Sequence, residues 1–273
     1  IALNWKATPE QNVYASYSQG FKGGGFDPRT NVVGTKISLT QARAGYKPET
    51  IATYELGLKS SFNGGRITTN TALFYSDYKD VQIPGSVAID TNGDGKDDSF
   101  AGITTNAGKA KIRGFEFEAV AHLTKEFTLS GMYSYIDAKY KEYIVAGVNV
   151  ANQRNFQNTP RNSANLRATY EVPMPLAGYD GRLSLIGGAS YRGHTFQFET
   201  PSIIDQDAYK LYDASIVWTR ADGKIRAGLH GKNLSDVHYK TAGYLFPTLG
   251  NEGTLTAFYG APRTVQGTVE YRF

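Results

Sequence analysis

The hydrophobic positions of this chain recur at every second residue over unusually long stretches, and the last stretch, 264–273, runs unbroken to an aromatic end. Val265, Gly267, Val269, Tyr271 and Phe273 share one face of an extended strand, and Thr264, Gln266, Thr268, Glu270 and Arg272 share the other. Ala164, Leu166, Ala168, Tyr170 and Val172 alternate in the same way with Asn165, Arg167, Thr169 and Glu171. So do Phe115, Phe117, Ala119, Ala121 and Leu123 with Glu116, Glu118 and His122; Val120 and Ile186 are exceptions on the polar faces. Such runs reach the roughly 9 to 11 residues of a tilted transmembrane strand, whereas strands of soluble domains centre on about 5 or 6. Charges in mid-strand opposite a continuously apolar face call for hydrocarbon on one side and water on the other. No uninterrupted apolar run approaches the ~18 residues of a membrane helix, which leaves a closed antiparallel β-barrel as the spanning structure.

The pattern predicts about eleven strands, at 1–7, 12–20, 48–62, 66–80, 106–123, 127–140, 159–172, 181–195, 207–220, 225–237 and 261–273. Short connections at 8–11, 63–65, 124–126, 173–180 and 221–224 alternate with long ones at 21–47, 81–105, 141–158, 196–206 and 238–260. Outer-membrane barrels carry short periplasmic turns and long external loops, so the long connections are expected outside and the carboxyl terminus on the periplasmic side. Strand 66–80 leaves its facing open, because Leu73 and Phe74 both suit lipid. With an odd count the first and last strands run the same way, so further wall is expected between them. The chain opens at Ile1 with no Met, basic n-region or apolar h-region, and reads as a processed or partial segment.

Composition agrees with a barrel wall: 19 Tyr, 14 Phe and 30 Gly stand beside 2 Met and no Cys. The formal charge of +4 is too small a bias for nucleic-acid binding, and is compatible with an anionic solute without indicating one.

Four stretches, 12–28 (NVYASYSQGFKGGGFDP), 46–62 (YKPETIATYELGLKSSF), 106–121 (NAGKAKIRGFEFEAVA) and 228–239 (GLHGKNLSDVHY), together with the terminal VEYRF, resemble the carboxyl-terminal half of a TonB-dependent outer-membrane receptor. The resemblance covers nearly the whole of 1–273. It implies an all-β, 22-stranded transmembrane barrel of which this chain supplies about eleven strands. The amino-terminal barrel half and the lumen-filling plug, which contacts TonB, would lie outside this chain. It further implies energised uptake of a scarce, large solute, most often a ferric siderophore, with no enzymatic activity. The terminal aromatics Tyr271 and Phe273 resemble the signal read by the outer-membrane assembly machinery. A passive porin, a purely structural barrel, and uptake of a non-iron solute such as an oligosaccharide are the alternatives.

Local chemistry adds candidate sites. In GFKGGGF, Gly20, Gly23, Gly24 and Gly25 are expected to relax the backbone where a strand leaves the membrane. Asn233 and Asp236 are expected to hold nearby backbone as their strand ends. In DTNGDGKDD, Asp90, Asn92, Asp94, the Lys96 carbonyl and Asp98 fall at positions 1, 3, 5, 7 and 9 of a calcium loop, with Gly95 at the sharp turn. Position 12 would be Ala101, so the bidentate Glu is missing, and calcium is at most a weak ligand; no cofactor is required. Glu55, Lys59, Glu116, Glu118, Arg167, Glu171, Arg182, Arg192, Arg226, Lys232, Glu270 and Arg272 are expected to face the lumen. Of these, Glu116, Glu118, Arg167, Arg192 and Arg226, with His194 and His230 near the external strand ends, are the solute-path candidates. The four His have no metal-ligand spacing. Loop aromatics Phe21, Phe26, Phe156, Phe196, Phe198, Tyr244, Phe246, Phe258 and Tyr259 either meet solute or anchor loops.

Overall fold

The computed structural model describes residues 1–30, 32, 38–96, 98–145, 147–246 and 254–273; parts of the expected connections 21–47, 141–158 and 238–260, and residue 97 in the acidic run, lie outside these. Eleven strands form one antiparallel sheet in chain order: β1 (Ala2–Thr8), β2 (Gln11–Lys22), β3 (Glu49–Phe62), β4 (Ile67–Ile89), β5 (Ser99–His122), β6 (Phe127–Val145), β8 (Asn162–Pro173), β9 (Gly181–Arg192), β10 (Tyr209–Arg220), β11 (Ile225–Lys232) and β14 (Thr264–Tyr271). The two-residue β7 (Val148–Asn149) is attached to β6, and β12 (Lys240–Phe246) pairs with β13 (Thr254–Tyr259) as a separate hairpin. β1 and β14 each have a neighbour on one side only. Among the described residues no helix is long and apolar enough to cross a membrane.

The register carries the alternation across the sheet. One row reads Leu3, Ala15, Leu56, Leu73, Phe115 and Tyr135, and the row below it Trp5, Val13, Leu58, Thr71, Phe117 and Tyr133. The opposite face holds Asn12, Lys59, Asn70 and Glu118 in one row. A one-residue slip would exchange the faces of a whole strand, so two unlike solvents fix the register. The pairing also settles β4: Leu73 faces Leu56 on the apolar side, whereas Phe74 faces Glu55 on the polar side. Large apolar side chains stay open on the outer surface, Leu3 at 71% and Val269 at 82% exposed, as a lipid-facing wall requires.

Tight turns close one end. Asn63, Gly64 and Gly65 have φ of 52°, 63° and 89° between β3 and β4, and Gly223 has φ 73° between β10 and β11. The Thr124 hydroxyl accepts the amides of Glu126 (3.1 Å) and Phe127 (2.9 Å) in the turn before β6.

The other end departs from the expected loops. The connection expected at 81–105 is instead a hairpin, because β4 and β5 stay paired as far as Ile89 and Ser99. Beyond Lys79, β4 has lost β3 as a neighbour, a setting in which a strand tolerates Pro84. β9 stops at Arg192 and β11 at Lys232, short of the expected 195 and 237; Asn233 turns the chain with φ 48°. Among the described residues the packed hydrophobic cluster sits here: Ile89 and Ala101 are buried against Val32, Ala42 and Ile103, with Ala42 on the short helix α1 (Leu39–Ala44).

Candidate functional site

The expected solute-path residues other than His194 share the polar face without converging. Glu116 lies between Ala72 and Ser134, and its row continues through Ser163 to Arg192. Neighbouring strands are spaced about 4.8 Å, so Glu116 and Arg192, three strands apart, are about 14 Å from each other. Glu118 faces Asn70 and Met132, Arg167 faces Ser130 and Gly188, and Arg226 faces Thr219 and Glu270. His230 is held by two hydroxyls, Ser215 at 3.0 Å and Thr268 at 3.0 Å, which occupy both ring nitrogens. Glu171 pairs with Arg182 at 3.4 Å and Glu270 with Arg272 at 2.7 Å, exposed contacts that fix side-chain direction more than stability.

At the loop end the connections are knitted together. The amides of Asn155 and Asn158 donate to the carbonyls of Glu199 (2.7 Å) and Phe196 (2.9 Å), joining the stretch before β8 to the one after β9. Tyr140 stacks on Phe156 with ring centroids 4.4 Å apart, and the Tyr143 hydroxyl is bonded to the Glu199 carboxylate. Phe156 therefore anchors a loop. Arg192 donates to the Asn158 carbonyl at 3.0 Å. His194, expected on the strand, lies past its end and meets Phe196 edge-on at 4.8 Å. A recess of about 920 Å³ opens here, bounded in part by Tyr140, Arg154, Phe156, His194 and Phe196. Nearby, Gln197 is buried and neither amide atom finds a partner among the described residues. Phe21, Phe26, Phe258 and Tyr259 are exposed, and the side chain of Phe246 lies outside the described residues.

Within the glycine run, Gly24 and Gly25 act through close approach, whereas a Cβ on Gly23 would meet nothing within 4 Å. Gly25 and Tyr46 exchange backbone hydrogen bonds (3.0 and 2.7 Å), and a Cβ on Gly24 would lie 2.5 Å from the Tyr46 carbonyl oxygen. Asn233 and Asp236 act as expected: the Asn233 amide group donates to Val237 O (2.9 Å) and Ala261 O (3.1 Å), and Asp236 accepts the Arg263 amide at 2.8 Å.

The acidic run is the tip of the β4–β5 hairpin. Asp90 accepts the amides of Gly95 (2.7 Å), Gly93 (2.6 Å) and Asn92 (3.2 Å), and these bonds, Gly95 first, hold its carboxyl below the usual carboxylate range. Asp98 accepts the Thr91 amide (2.9 Å) and hydroxyl, and Asp94 accepts the Lys96 amide at 2.8 Å. Among the described residues no group of three or more His, Asp or Glu is arranged to hold a metal ion. At the chain end, Tyr271 and Phe273 meet edge-on at 5.1 Å.

One set of charges is absent from the sequence-derived sites. Above Leu73, Phe115 and Tyr133, the apolar face continues into Tyr75, Asp77 and Lys79 on β4, Lys109, Lys111 and Arg113 on β5, and Tyr135, Asp137 and Lys139 on β6. The signal was present: Lys109, Lys111 and Arg113 have the parity of Phe115 and Phe117.

The β-barrel family model "TonB dependent receptor-like, beta-barrel" matches residues 1–234. The metal-pseudopaline receptor of Pseudomonas aeruginosa is 26% identical over 247 residues, spanning 89% of this chain and 30% of its own length. The ferric-pyoverdine M114 receptor of Pseudomonas sp. strain M114 is 28% identical over 231 residues, 83% of this chain and 25% of its own length. Among solved structures, the ferric yersiniabactin uptake receptor from Yersinia pestis superposes with a TM-score of 0.72 at 21% identity, over 100% of this chain and 36% of its own. The siderophore receptor PiuA from Acinetobacter baumannii gives 0.68 at 20% identity, over 99% and 35%. The chain thus spans about a quarter to a third of the length of each of these proteins. With its alternating wall, tight turns at one end and knitted loops at the other, the chain belongs to the TonB-dependent receptor β-barrel family of the bacterial outer membrane.

Proposed function

We propose that this chain is the carboxyl-terminal half of a 22-stranded receptor barrel that takes up a large, scarce solute, a ferric siderophore, with energy delivered through TonB. The observation that carries the reading is the family match over residues 1–234 of a wall whose polar face is lined with charge and whose loop end is closed by interlocked connections. Relatives named as metal-pseudopaline and ferric-pyoverdine receptors favour a chelated metal over a sugar. In this reading the loop end is external. Solute passes the exposed loop aromatics and then the polar face from Arg192 and His194 downward; the amino-terminal half and plug complete the lumen, and lipid surrounds the wall.

The test uses the complete receptor in iron-starved cells supplied with radiolabelled ferric siderophores, with and without functional TonB. Uptake that requires both the receptor and TonB is expected. Solute entry that persists without TonB makes the barrel a porin, and induction by a sugar with no response to iron limitation removes the siderophore. Calcium at Asp90, Asn92, Asp94, Lys96 and Asp98 is a separate proposal, supported by ligand spacing alone; no bound ion in a millimolar titration removes it.

A further inference from the structure

The sheet has a notch at its loop end. β8 pairs with β6 only as far as Asn162, opposite Tyr135, and one step higher the Ile136 amide donates to the Arg161 carbonyl at 2.9 Å. The same edge is taken up again where the Val150 amide donates to the Tyr143 carbonyl at 2.8 Å, and above that β7 pairs with β6. Between these points, over 137–142, β6 has β5 on one side and, among the described residues, no strand on the other. Main-chain groups alternate in direction along a strand, so the amides and carbonyls of Ala138 and Tyr140 point the same way as the Ile136 amide. They point into the recess of about 920 Å³ that both residues line.

An unpaired strand edge is a template for another extended chain, and proteins either cover such an edge or bind through it. The gap is about six residues long, or about 20 Å. Its lining decides which chain fits. Lys139, Lys141, Arg154 and Arg161 line the recess together with one carboxylate, Asp137. Asp137 is already held by Lys139 at 3.2 Å and Arg161 at 3.5 Å, so the positive excess lies with Lys141 and Arg154. On the opposite face of β6, Ala138 stands in line with Tyr140, which stacks on Phe156.

We propose that this notch binds an extended acidic segment of a partner protein, which adds to β6 as an antiparallel strand. Main-chain hydrogen bonds to Ala138 and Tyr140 supply the affinity. Acidic side chains at alternate positions stand beside Lys139 and Lys141, and the apolar side chains between them lie against Ala138 and Tyr140. The notch is built wholly from this chain and does not depend on which solute is carried. With the loop end external, as in the transport reading above, the partner comes from outside the cell.

The complete receptor is purified in non-ionic detergent and titrated with a fluorescein-labelled peptide of about eight residues in which glutamate and valine alternate, read by fluorescence anisotropy. In an antiparallel pair the residues opposite Ala138 and Tyr140 are those whose amides face β6, and with glutamate beside the lysines these are the valines. N-methylation of the valines is expected to weaken binding about 25-fold, at about fivefold for each of two hydrogen bonds, whereas N-methylation of the glutamates leaves it unchanged. Ala138→Pro removes one edge donor without touching the ladder to β5, and Lys141→Gln removes one cation; each is expected to weaken binding about fivefold. Both variants are expected to keep heat-modifiable mobility and TonB-dependent uptake, so a loss of peptide binding is separable from a failure of the transport reading. Equal effects of the two methylation patterns make the notch a site for any anion and overturn the proposal. So does the absence of binding by wild type at millimolar peptide. Tighter binding by Lys141→Gln would mean that the lysine blunts the edge against added strands, and also overturns it.

Discussion

Single glycines on the polar face of the wall are spaces filled by a neighbour's ring. Tyr14 lies across Gly57, its directly opposite partner, and its hydroxyl donates to Glu55 at 2.6 Å. A Cβ at position 57 would fall 2.2 Å from the ring, which must then swing off the strand and lose that bond. Gly57→Ala is expected to destabilise the barrel by about 1 to 2 kcal/mol. In the Tyr14→Ala background the same change is expected to be nearly neutral, a coupling that a double-mutant cycle of unfolding in detergent measures. At the loop end, Asp27 receives two bonds from the Arg29 guanidinium (3.0 and 2.7 Å) and one from the Thr104 hydroxyl (2.9 Å). The Arg29 hydrogen bonds, above all, lower its carboxyl to about 2. A carboxylate depressed on folding contributes its stabilisation above the ordinary value near 4 and loses it as pH falls towards 2. Asp27→Asn is accordingly expected to cost about 2 kcal/mol of local stability at neutral pH, and nothing once the wild-type carboxyl is protonated. Hydrogen exchange of the amides flanking Asp27, followed from pH 7 to below pH 2, reads both.

Elements of the wall were legible because two solvents impose one simple period on them; those of the loop end were not, because packing and local side-chain bonds take over there. Alternation gives β1, β3 and the turn at Asn63 nearly to the residue. It gives no warning that β4 and β5 stay paired past Lys79: Pro84, Gly85 and the acidic tip carry the composition of a loop. Burial of Ile89 and Ala101 against Val32 and Ala42 holds that hairpin up. The pair β12 and β13 likewise lies in a stretch with the composition of a loop, and the outward cations stand beyond Phe115, where charge takes the parity that apolar residues hold below. The β4–β5 extension supports its neighbour in turn: the Thr104 hydroxyl donates to Asp27, the Gly102 amide donates to the Arg29 carbonyl, and the Gly102 carbonyl accepts the Thr30 hydroxyl. Replacing 84–104 by a tight turn is expected to leave the wall intact, with heat-modifiable migration unchanged. It is expected also to expose the stretch 23–30 to protease. If that stretch resists cleavage as well as in the wild type, the hairpin is not its support.

For the whole molecule the governing fact is an open sheet. β1 and β14 leave one side of their backbones unpaired, and both run in the same direction, so joining them would make a parallel pair in an otherwise antiparallel wall. In hydrocarbon each unpaired N–H or C=O costs several kcal/mol, a penalty that no loop packing at one end offsets. On the half-barrel reading proposed above, both edges pair with wall strands that this chain does not contribute, and an odd set of eleven calls for an odd complement. Residues 1–273 expressed alone are expected to reach the outer membrane poorly and to show no heat-modifiable band, even though Tyr271 and Phe273 are in place. Co-expression with the remaining half of the receptor is expected to restore a heat-modifiable, protease-resistant complex, and deletion of Phe273 to lower its yield without altering the mobility of what assembles. A stable, heat-modifiable species formed by residues 1–273 alone would mean that the two edges find each other or pair between copies, and the half-barrel reading would fall with it.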